Sequence, residues 1–435
     1  MSNPQSLIGG VLSGGRFTAV PNCYQQVANT SISANRIVPM DHLREPLNQV
    51  RFGDVNKTFK ISSGSLLGNF MLKVRMPAAT IATPPASMLS AENGYGFNLV
   101  RNLKFKYGST QYNTKSSKAN SLSVMRNVLN VESRRAINDL AGKVRLDTAT
   151  TFPSDILYIP LSLPQSCWNS DGKDIPFDSA VLDGDVYIQI DFGTHGEVYS
   201  NIDAFLNGAG NKLPEYFDCE LVCQSYAFIE QSDSIANSVG RSGDTTYNYN
   251  FVDNQQYCER VTGSNSAAPC DRTNVSIAGW QEGNTLGLSL LLVPLRDYAA
   301  APAAHRQYTE ITNLIVYIGG QTYMTSNDAE QKLFDYSREP IENYFSSYGG
   351  SAATSDQVSP WFDVPLSQYN LSCVGVGNAM SKLEYGMNID NKTVKFSFNT
   401  PQGTAGQEFE LFVIQHIQAS VSTAKGSNSI QYTSM

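Results

Sequence analysis

Asn102-Leu-Lys-Phe-Lys-Tyr-Gly108 and Asn313-Leu-Ile-Val-Tyr-Ile-Gly319 are two versions of one segment, about 200 residues apart in the chain. Each version joins a strand-like apolar run to a Gly, a residue that tolerates the positive φ of a tight turn. Each also reaches a tyrosine four residues after the Gly, at Tyr112 and Tyr323. The two segments predict a β-hairpin that occurs twice.

Other apolar segments of the two halves can be matched in the same order. The matched pairs are Gly68–Pro77 with Thr285–Pro294, Ile156–Leu161 with Trp361–Leu366, Val186–Phe192 with Val394–Phe398, and Glu220–Phe228 with Glu410–Ile417. Any one pairing is weak, because apolar strands resemble one another by chance. A conserved order at a nearly constant offset indicates an internal duplication. The alternative is a single large β-sandwich with fortuitous similarity.

A helical period follows each hairpin. Apolar residues recur at near-helical spacing in both halves, at Leu122, Met125, Leu129, Ala136 and Leu140, and again at Ala329, Leu333 and Tyr336 before Pro340. We therefore expect one helix after each hairpin. Short strands at regular spacing with one helix per half favour an all-β fold of two tandem eight-stranded jelly-roll β-sandwiches, with short helices in the loops.

Length and composition agree with this reading. The 435 residues suit two domains of about 200 residues each. Only 16% of the residues are charged while 10% are aromatic, a balance that favours half-buried strands. We expect an N-terminal arm over residues 1–45, a first jelly roll over 46–235 and a second over 236–435.

Three stretches resemble the double jelly-roll major capsid proteins, the family shared by adenovirus hexon, membrane-containing tailless phages and large algal DNA viruses. They are the strand-hairpin segment Asn98–Gly108, the strand Ile159-Pro160-Leu161, and Glu220–Ser234, which resembles the end of the family's first jelly roll. The resemblance spans residues 45 to 435 approximately. The N-terminal segment departs from the algal-virus pattern, since it is more polar and rich in Gly.

The resemblance implies a major capsid protein that acts as a structural subunit and not as an enzyme. In such a protein a homotrimer forms a pseudo-hexameric capsomer, and capsomers tile an icosahedral virion shell assembled inside the host cell. The implied partners are neighbouring capsomers, penton proteins, and minor capsid or membrane-associated viral proteins, with an internal membrane beneath the shell as one option. Exposed loops of the second roll, chiefly Thr262 to Asn284, are expected to face outward.

Charge and cysteine content exclude several partners. The net charge is −8, and residues 1 to 35 hold one charged side chain, Arg16, so we expect no direct sequence-specific binding of nucleic acid. The seven cysteines show no CxxC pair, which favours reduced, mostly buried thiols and no zinc ribbon. The longest apolar run, Leu286 to Leu295, is too short to span a bilayer, and no signal peptide is recognised, so we expect a soluble protein made in a reducing compartment.

Catalytic and metal-binding signatures are missing from the sequence. The four histidines, His42, His195, His305 and His416, are widely spaced and form no HxH pair. We therefore expect no catalytic residue, no metal ligand and no cofactor. His195 lies between residues that favour a surface turn. Cys219 and Cys223 would share one face of a strand, where packing is the expected role.

Two other functions remain open alternatives at this stage. A bicupin-like enzyme or storage protein would also contain two jelly rolls, although its catalytic form needs clustered histidines. A viral spike or carbohydrate-binding β-sandwich would be all-β as well. Bound metal would favour the first alternative, and a discrete oligomer that never forms sheets or shells would favour the second.

Overall fold

The structure is a computed structural model, and it describes residues 37–61, 66–83, 89, 91, 94–107, 110–127, 136–137, 139–142, 153–162, 177–178, 185–199, 202–228, 246–264, 272–294, 311–325, 361–366, 386–400, 406–424 and 430–434. Expectations for residues 1–36, for residues 265–271 and for the helix near Leu333 lie outside these ranges. The prediction of an exposed loop from Thr262 to Asn284 is wrong for part of that segment. Thr273–Ile277 form a strand whose alternate residues are buried, and Trp280 is 4% exposed, because the segment completes a sheet of the second half.

The first half of the chain contains nine strands and four short helices among the described residues. They are β1 (Ile37–Arg51), β2 (Lys57–Ile61), β3 (Leu66–Met76), α1 (Gly96–Leu99), β4 (Val100–Tyr107), β5 (Thr110–Ser116), α2 (Ser117–Asn127), β6 (Asp155–Leu161), β7 (Phe177–Asp178), β8 (Val186–Phe192), α3 (His195–Val198), α4 (Ile202–Leu206) and β9 (Tyr216–Phe228).

The second half continues with strands only, within the part that the structure describes. They are β10 (Thr246–Thr262), β11 (Thr273–Ile277), β12 (Thr285–Pro294), β13 (Thr312–Ile318), β14 (Gln321–Thr325), β15 (Trp361–Pro365), β16 (Val394–Asn399), β17 (Glu408–Ala424) and β18 (Ile430–Ser434).

The two halves have the same sheet topology. The first half forms sheets β1-β9-β3-β6 and β2-β8-β4-β5, and the second forms β10-β17-β12-β15 and β11-β16-β13-β14. All described pairings are antiparallel, and two additional strands extend the sheets, with β7 beside β3 and β18 beside β17. This order of two four-stranded sheets is the eight-stranded jelly roll. The expected fold class and the matched strand pairs are confirmed.

Each sandwich encloses its own hydrophobic core. Alternating residues of β3 point inward, with Phe70, Leu72 and Val74 fully buried, and Phe105 and Ile188 meet them from the opposite sheet. Burial of each such side chain stabilises the fold by about 1.5–3 kcal/mol. In the second sandwich the corresponding cluster includes residues of β12, β16 and β17. Both halves therefore have the apolar interior of a domain.

The predicted hairpins are present in both halves. β4 pairs with β5, and β13 pairs with β14 across a turn in which Gly319 and Gly320 have φ values of 59° and 83°. Two successive positive φ values define the hairpin turn that matches the right-handed twist of strands. The helix predicted from Leu122 and Met125 is α2, and it directly follows β5.

β1 starts earlier than the sequence analysis predicted. Residues 37–45, assigned there to an arm, belong to β1 and pair with β9 from Ile37↔Phe228 onward. The polar and Pro-containing composition of this segment hid the strand, because β1 is an edge strand and Pro39 and Pro46 are tolerated at such positions. None of the described helices is long and apolar enough to cross a membrane.

Candidate assembly interface

The two sandwiches contact each other directly, and the contact is asymmetric. The first sandwich contributes the edge strand β5 and the helix α2, and the second contributes the outer face of its sheet β10-β17-β12-β15. Hydrogen bonds between described residues cross it: Ser116 on β5 donates to Gln256 on β10, and the Asn254 amide nitrogen donates to Ser123 Oγ at 2.5 Å. We call this contact the junction.

Apolar side chains fill the centre of the junction. Leu291 of β12 is 4% exposed and Ile414 of β17 is fully buried, and both pack with the hydrophobic cluster of the first sandwich. Val293 and Phe412 pack against the same cluster from the rim. These residues lie on the outer face of a sheet whose inner face already covers the second core. The strand β12 is consequently buried on both sides.

In the described part of the chain, no other element packs on the outer face of the equivalent sheet of the first sandwich. Arg44 on β1, Glu220 on β9, Lys73 on β3 and Tyr158 on β6 follow one another across this sheet, and together they define what we call the open face. Glu220 lies 3.2 Å from Arg44 and 4.0 Å from Lys73, and the Lys73 ammonium lies 6.0 Å from the Tyr158 ring centroid. The open face is therefore charged, with one carboxylate shared between two cationic side chains.

A wide cleft borders the open face at one end of the sheet. Its volume is about 780 Å³, and Arg75, Ile156, Tyr216 and Asp218 are among its lining residues. Ile156 is 50% exposed and Tyr216 is 48% exposed, which is unusual for large apolar side chains. Aromatic and Arg side chains at an exposed, concave position are typical of protein–protein contact surfaces.

The counterpart of β5 in the second sandwich, β14, has no neighbouring element on its outer edge among the described residues. β14 is the edge strand of the sheet β11-β16-β13-β14, as β5 is of β2-β8-β4-β5. Four of its five residues are exposed, including Tyr323 at 41%, whose hydroxyl donates to the Pro365 carbonyl at 2.8 Å. Each chain thus contains two copies of both contact surfaces, the edge strand and the outer sheet face. One copy of each forms the junction, and the other copy of each does not.

The histidines and cysteines noted in the sequence do not converge. His195 begins α3 and not a surface turn, because Glu197 accepts a hydrogen bond from the Thr194 N–H at 2.7 Å and closes a capping box. Its ring stacks on Phe52 and its Nε2 lies 2.6 Å from the Pro214 carbonyl oxygen. His42 is exposed on β1, His416 is buried at the junction, and His305 lies outside the described residues.

Cys219 and Cys223 share the inner face of β9, where they pack in the first core as the sequence analysis expected. Burial raises the pKa of each thiol to about 12. Among the described residues, no group of three or more His, Cys, Asp and Glu side chains could hold a metal ion.

The junction was not predicted from sequence, although β12 carries a signal for it. Leu288, Ser289, Leu290, Leu291 and Leu292 form a nearly continuous apolar run in which every residue is buried. A strand with one solvated face alternates between apolar and polar residues, so a continuous run indicates burial on both faces.

The fold has close structural counterparts. No protein-family model and no curated protein matches the sequence. The PBCV-1 capsid superposes with a TM-score of 0.57 at 10% identity, over 90% of this chain and 97% of that chain. The capsid structure of the Sputnik virophage gives 0.56 at 10%, over 91% and 89%. The mavirus major capsid protein gives 0.53 at 10%, over 93% and 91%. This chain therefore has the double jelly-roll fold of viral major capsid proteins.

Proposed function

We propose that this protein is a major capsid protein, a structural subunit without catalytic activity whose trimers tile an icosahedral shell. The observation that carries the proposal is the asymmetric junction, which leaves one open copy of each contact surface on every chain. The fold shared with three virus capsid proteins supports it.

A head-to-tail contact of this kind propagates until a ring closes. β14 of one chain is equivalent to β5, and the open face of the next chain is equivalent to the sheet surface that β5 and α2 cover inside a chain. Three chains supply six sandwiches, so a ring of three chains has a nearly six-fold outline. Such an outline packs into a hexagonal lattice, which is the requirement for a capsid tile.

The two versions of the contact differ in polarity. The centre of the junction is apolar, at Leu291 and Ile414, whereas the open face has Lys73, Arg44 and Glu220. A charged open face keeps the free subunit soluble, and it makes association between chains weaker and more dependent on salt than the contact within a chain.

The finer assignments rest on the family resemblance. We propose a virion location, contacts with neighbouring capsomers and with penton, minor capsid or membrane-associated proteins, and no sequence-specific nucleic-acid partner. With β1 included, residues 37–235 and 236–435 are the proposed rolls, and the proposed boundary lies between β9 and β10. The segment before β1 is the proposed arm, and the loop between β10 and β11 is the proposed outward surface.

Expression of the full chain alone tests the proposal. Light scattering coupled to chromatography is expected to give three chains per particle at micromolar concentration, and electron microscopy of concentrated protein is expected to show hexagonal sheets or shells. A stable monomer would contradict the proposal. A discrete oligomer that never forms sheets would favour a spike or carbohydrate-binding protein, and stoichiometric zinc, iron or manganese would favour a bicupin-like enzyme.

A further inference from the structure

A row of polar side chains crosses the junction from α2 to β15. In order it contains Ser123, Asn254, His416, Ser289 and Asp363, one residue from each of five elements. Its first four members are at most 7% exposed. The successive distances are 2.5 Å from Asn254 Nδ2 to Ser123 Oγ, 2.6 Å from His416 Nδ1 to Asn254 Oδ1, 2.7 Å from His416 Nε2 to Ser289 Oγ, and 2.5 Å from Ser289 Oγ to Asp363 Oδ1.

With Asp363 ionised, the donors and acceptors in this row place a proton on each nitrogen of the imidazole. The Asn254 amide nitrogen donates to Ser123, so the Asn254 oxygen faces Nδ1 of His416. An amide oxygen only accepts, and therefore Nδ1 carries a proton. Ser289 has a single hydroxyl proton and donates it to the Asp363 carboxylate. The Ser289 oxygen must then accept from Nε2, so Nε2 is protonated as well.

We propose that His416 is a buried proton-binding site at the junction, held as an imidazolium and paired through Ser289 with the carboxylate of Asp363. An unpaired imidazolium would be costly at 1% exposure, and the serine-bridged carboxylate offsets that cost. The site joins β17 to β12 and β15 on one side, and through Asn254 to α2 of the first sandwich on the other.

The proton on His416 couples the junction to pH. A histidine in an unfolded chain releases its proton at about pH 6.5, which is the reference value for the free side chain. At about pH 7 to 8 the protein with a closed junction therefore binds one proton more than the protein with an opened junction. The contribution of the site is fully present in mildly acidic solution, and it is lost as the pH rises and His416 is deprotonated.

Other ionisable side chains on the elements around His416 are engaged elsewhere. Asp253 of β10 accepts from the Asn254 N–H at 2.8 Å and from the Gln255 amide at 2.9 Å. The Lys118 ammonium of α2 donates to Asn98 Oδ1 at 3.3 Å. Four other charged residues lie farther from the imidazole along these strands, namely Glu259 and Arg260 on β10 and Glu408 and Glu410 on β17. Asp363 is thus the carboxylate coupled to His416.

Amide hydrogen exchange of the full-length protein tests the coupling between the junction and pH. It is measured from about pH 6 to about pH 9.5 in steps of roughly half a pH unit. After correction for the intrinsic exchange rate, the protection of α2 and β10 is expected to fall by up to about tenfold per pH unit at the alkaline end, as linkage to a single proton requires. In His416→Gln and Asp363→Asn this fall is expected to disappear. His195→Gln, which removes a histidine far from the junction, is expected to behave as the wild type does.

A direct readout separates a proton-binding role from simple packing. In protein labelled with ¹⁵N only at histidine, nuclear magnetic resonance at pH 8 is expected to show one histidine with both ring nitrogens protonated. That signal is expected to be absent from Asp363→Asn, which retains His416. If all histidines are neutral at pH 8, or if the variants and the wild type share one pH profile, the inference is wrong. Neither measurement depends on capsid assembly, so its outcome is independent of the proposed function.

Discussion

Lys73 on β3 and Val293 on β12 occupy matching positions in the two sandwiches, because each lies opposite a glutamate on the neighbouring strand. Lys73 pairs with Glu220 of β9, and Val293 pairs with Glu410 of β17. Val293 packs against the first sandwich, while Lys73 stands on the open face. The two sandwiches therefore share one sheet geometry and differ in the polarity of the outer surface of that sheet.

Reversal of the charge at this position should weaken the association between chains. In Lys73→Glu the ion pair with Glu220 is replaced by two adjacent carboxylates, and covering unpaired charges at a contact costs more free energy than covering a paired set. We expect the trimer dissociation midpoint to shift by roughly tenfold or more in protein concentration, with a smaller effect at high salt. Mass photometry across concentration and salt would measure the shift.

Lys395→Glu is the matched control for the charge change. Lys395 is exposed on β16 and lies 5.7 Å from the Tyr317 ring centroid, on the sheet opposite the junction-forming one. The variant is expected to associate as the wild type does. Equal behaviour of the two variants would show that the open face is not the site of contact between chains.

Truncation at the junction should destabilise the fold more than truncation at the surface. Leu291→Ala removes an apolar side chain that is 4% exposed and packed between the sandwiches, with an expected loss of about 2–4 kcal/mol. Leu206→Ala makes the same change at a residue that is 47% exposed, with an expected loss below about 1 kcal/mol. Denaturant unfolding compares the two, and similar losses would contradict a packed junction.

The fold class and most strands could be predicted from sequence because they depend on local pattern and repetition. The recurrence of Asn102–Gly108 at Asn313–Gly319 identified both hairpins and, with the other matched segments, six strands of each roll, whereas no matched segment covered β1, β2, β10 or β11. Residue-level alignment was less accurate. When Glu220 is matched with Glu410, Pro294 corresponds to Val74 and not to Pro77, since Val74 and Pro294 lie opposite the residues just before those glutamates.

The junction and the polar row could not be predicted in the same way. Asn254, His416 and Asp363 are more than 50 residues apart in pairs, and they meet only because β10, β17, β12 and β15 lie side by side. No spacing rule relates such residues in advance. A single buried histidine also has no sequence signature, because its environment is set by tertiary packing.

The buried thiols should react only after unfolding. The thiolate is the reactive form, and with the pKa of Cys219 and Cys223 raised to about 12 by burial, roughly one thiol in ten thousand is ionised at pH 8. Cys258 is exposed, with its pKa raised to about 11, and should react first. Peptide mass spectrometry after iodoacetamide treatment would measure the rates. Equal rates for all three in the native protein would contradict the burial of β9.

Asp191 should stabilise the first sandwich in a pH-dependent way. Burial alone would raise its pKa, but this is outweighed by hydrogen bonds from the Asn56 backbone N–H at 2.7 Å, the Lys104 ammonium at 3.0 Å and the Asn102 amide at 3.2 Å, so the pKa falls below the ordinary 3.8. A carboxyl group whose pKa is lowered on folding stabilises the protein at pH values above its unfolded-state pKa. This contribution is lost as the pH falls through the folded-state pKa. Asp191→Asn should therefore cost about 1.5–3 kcal/mol at pH 7 and progressively less below about pH 4. Urea unfolding midpoints at several pH values test this prediction, and Asp203→Asn, at an exposed residue, is the control. If the difference between the wild type and Asp191→Asn stays constant down to acidic pH, the charge of the carboxylate is not the source of the stabilisation.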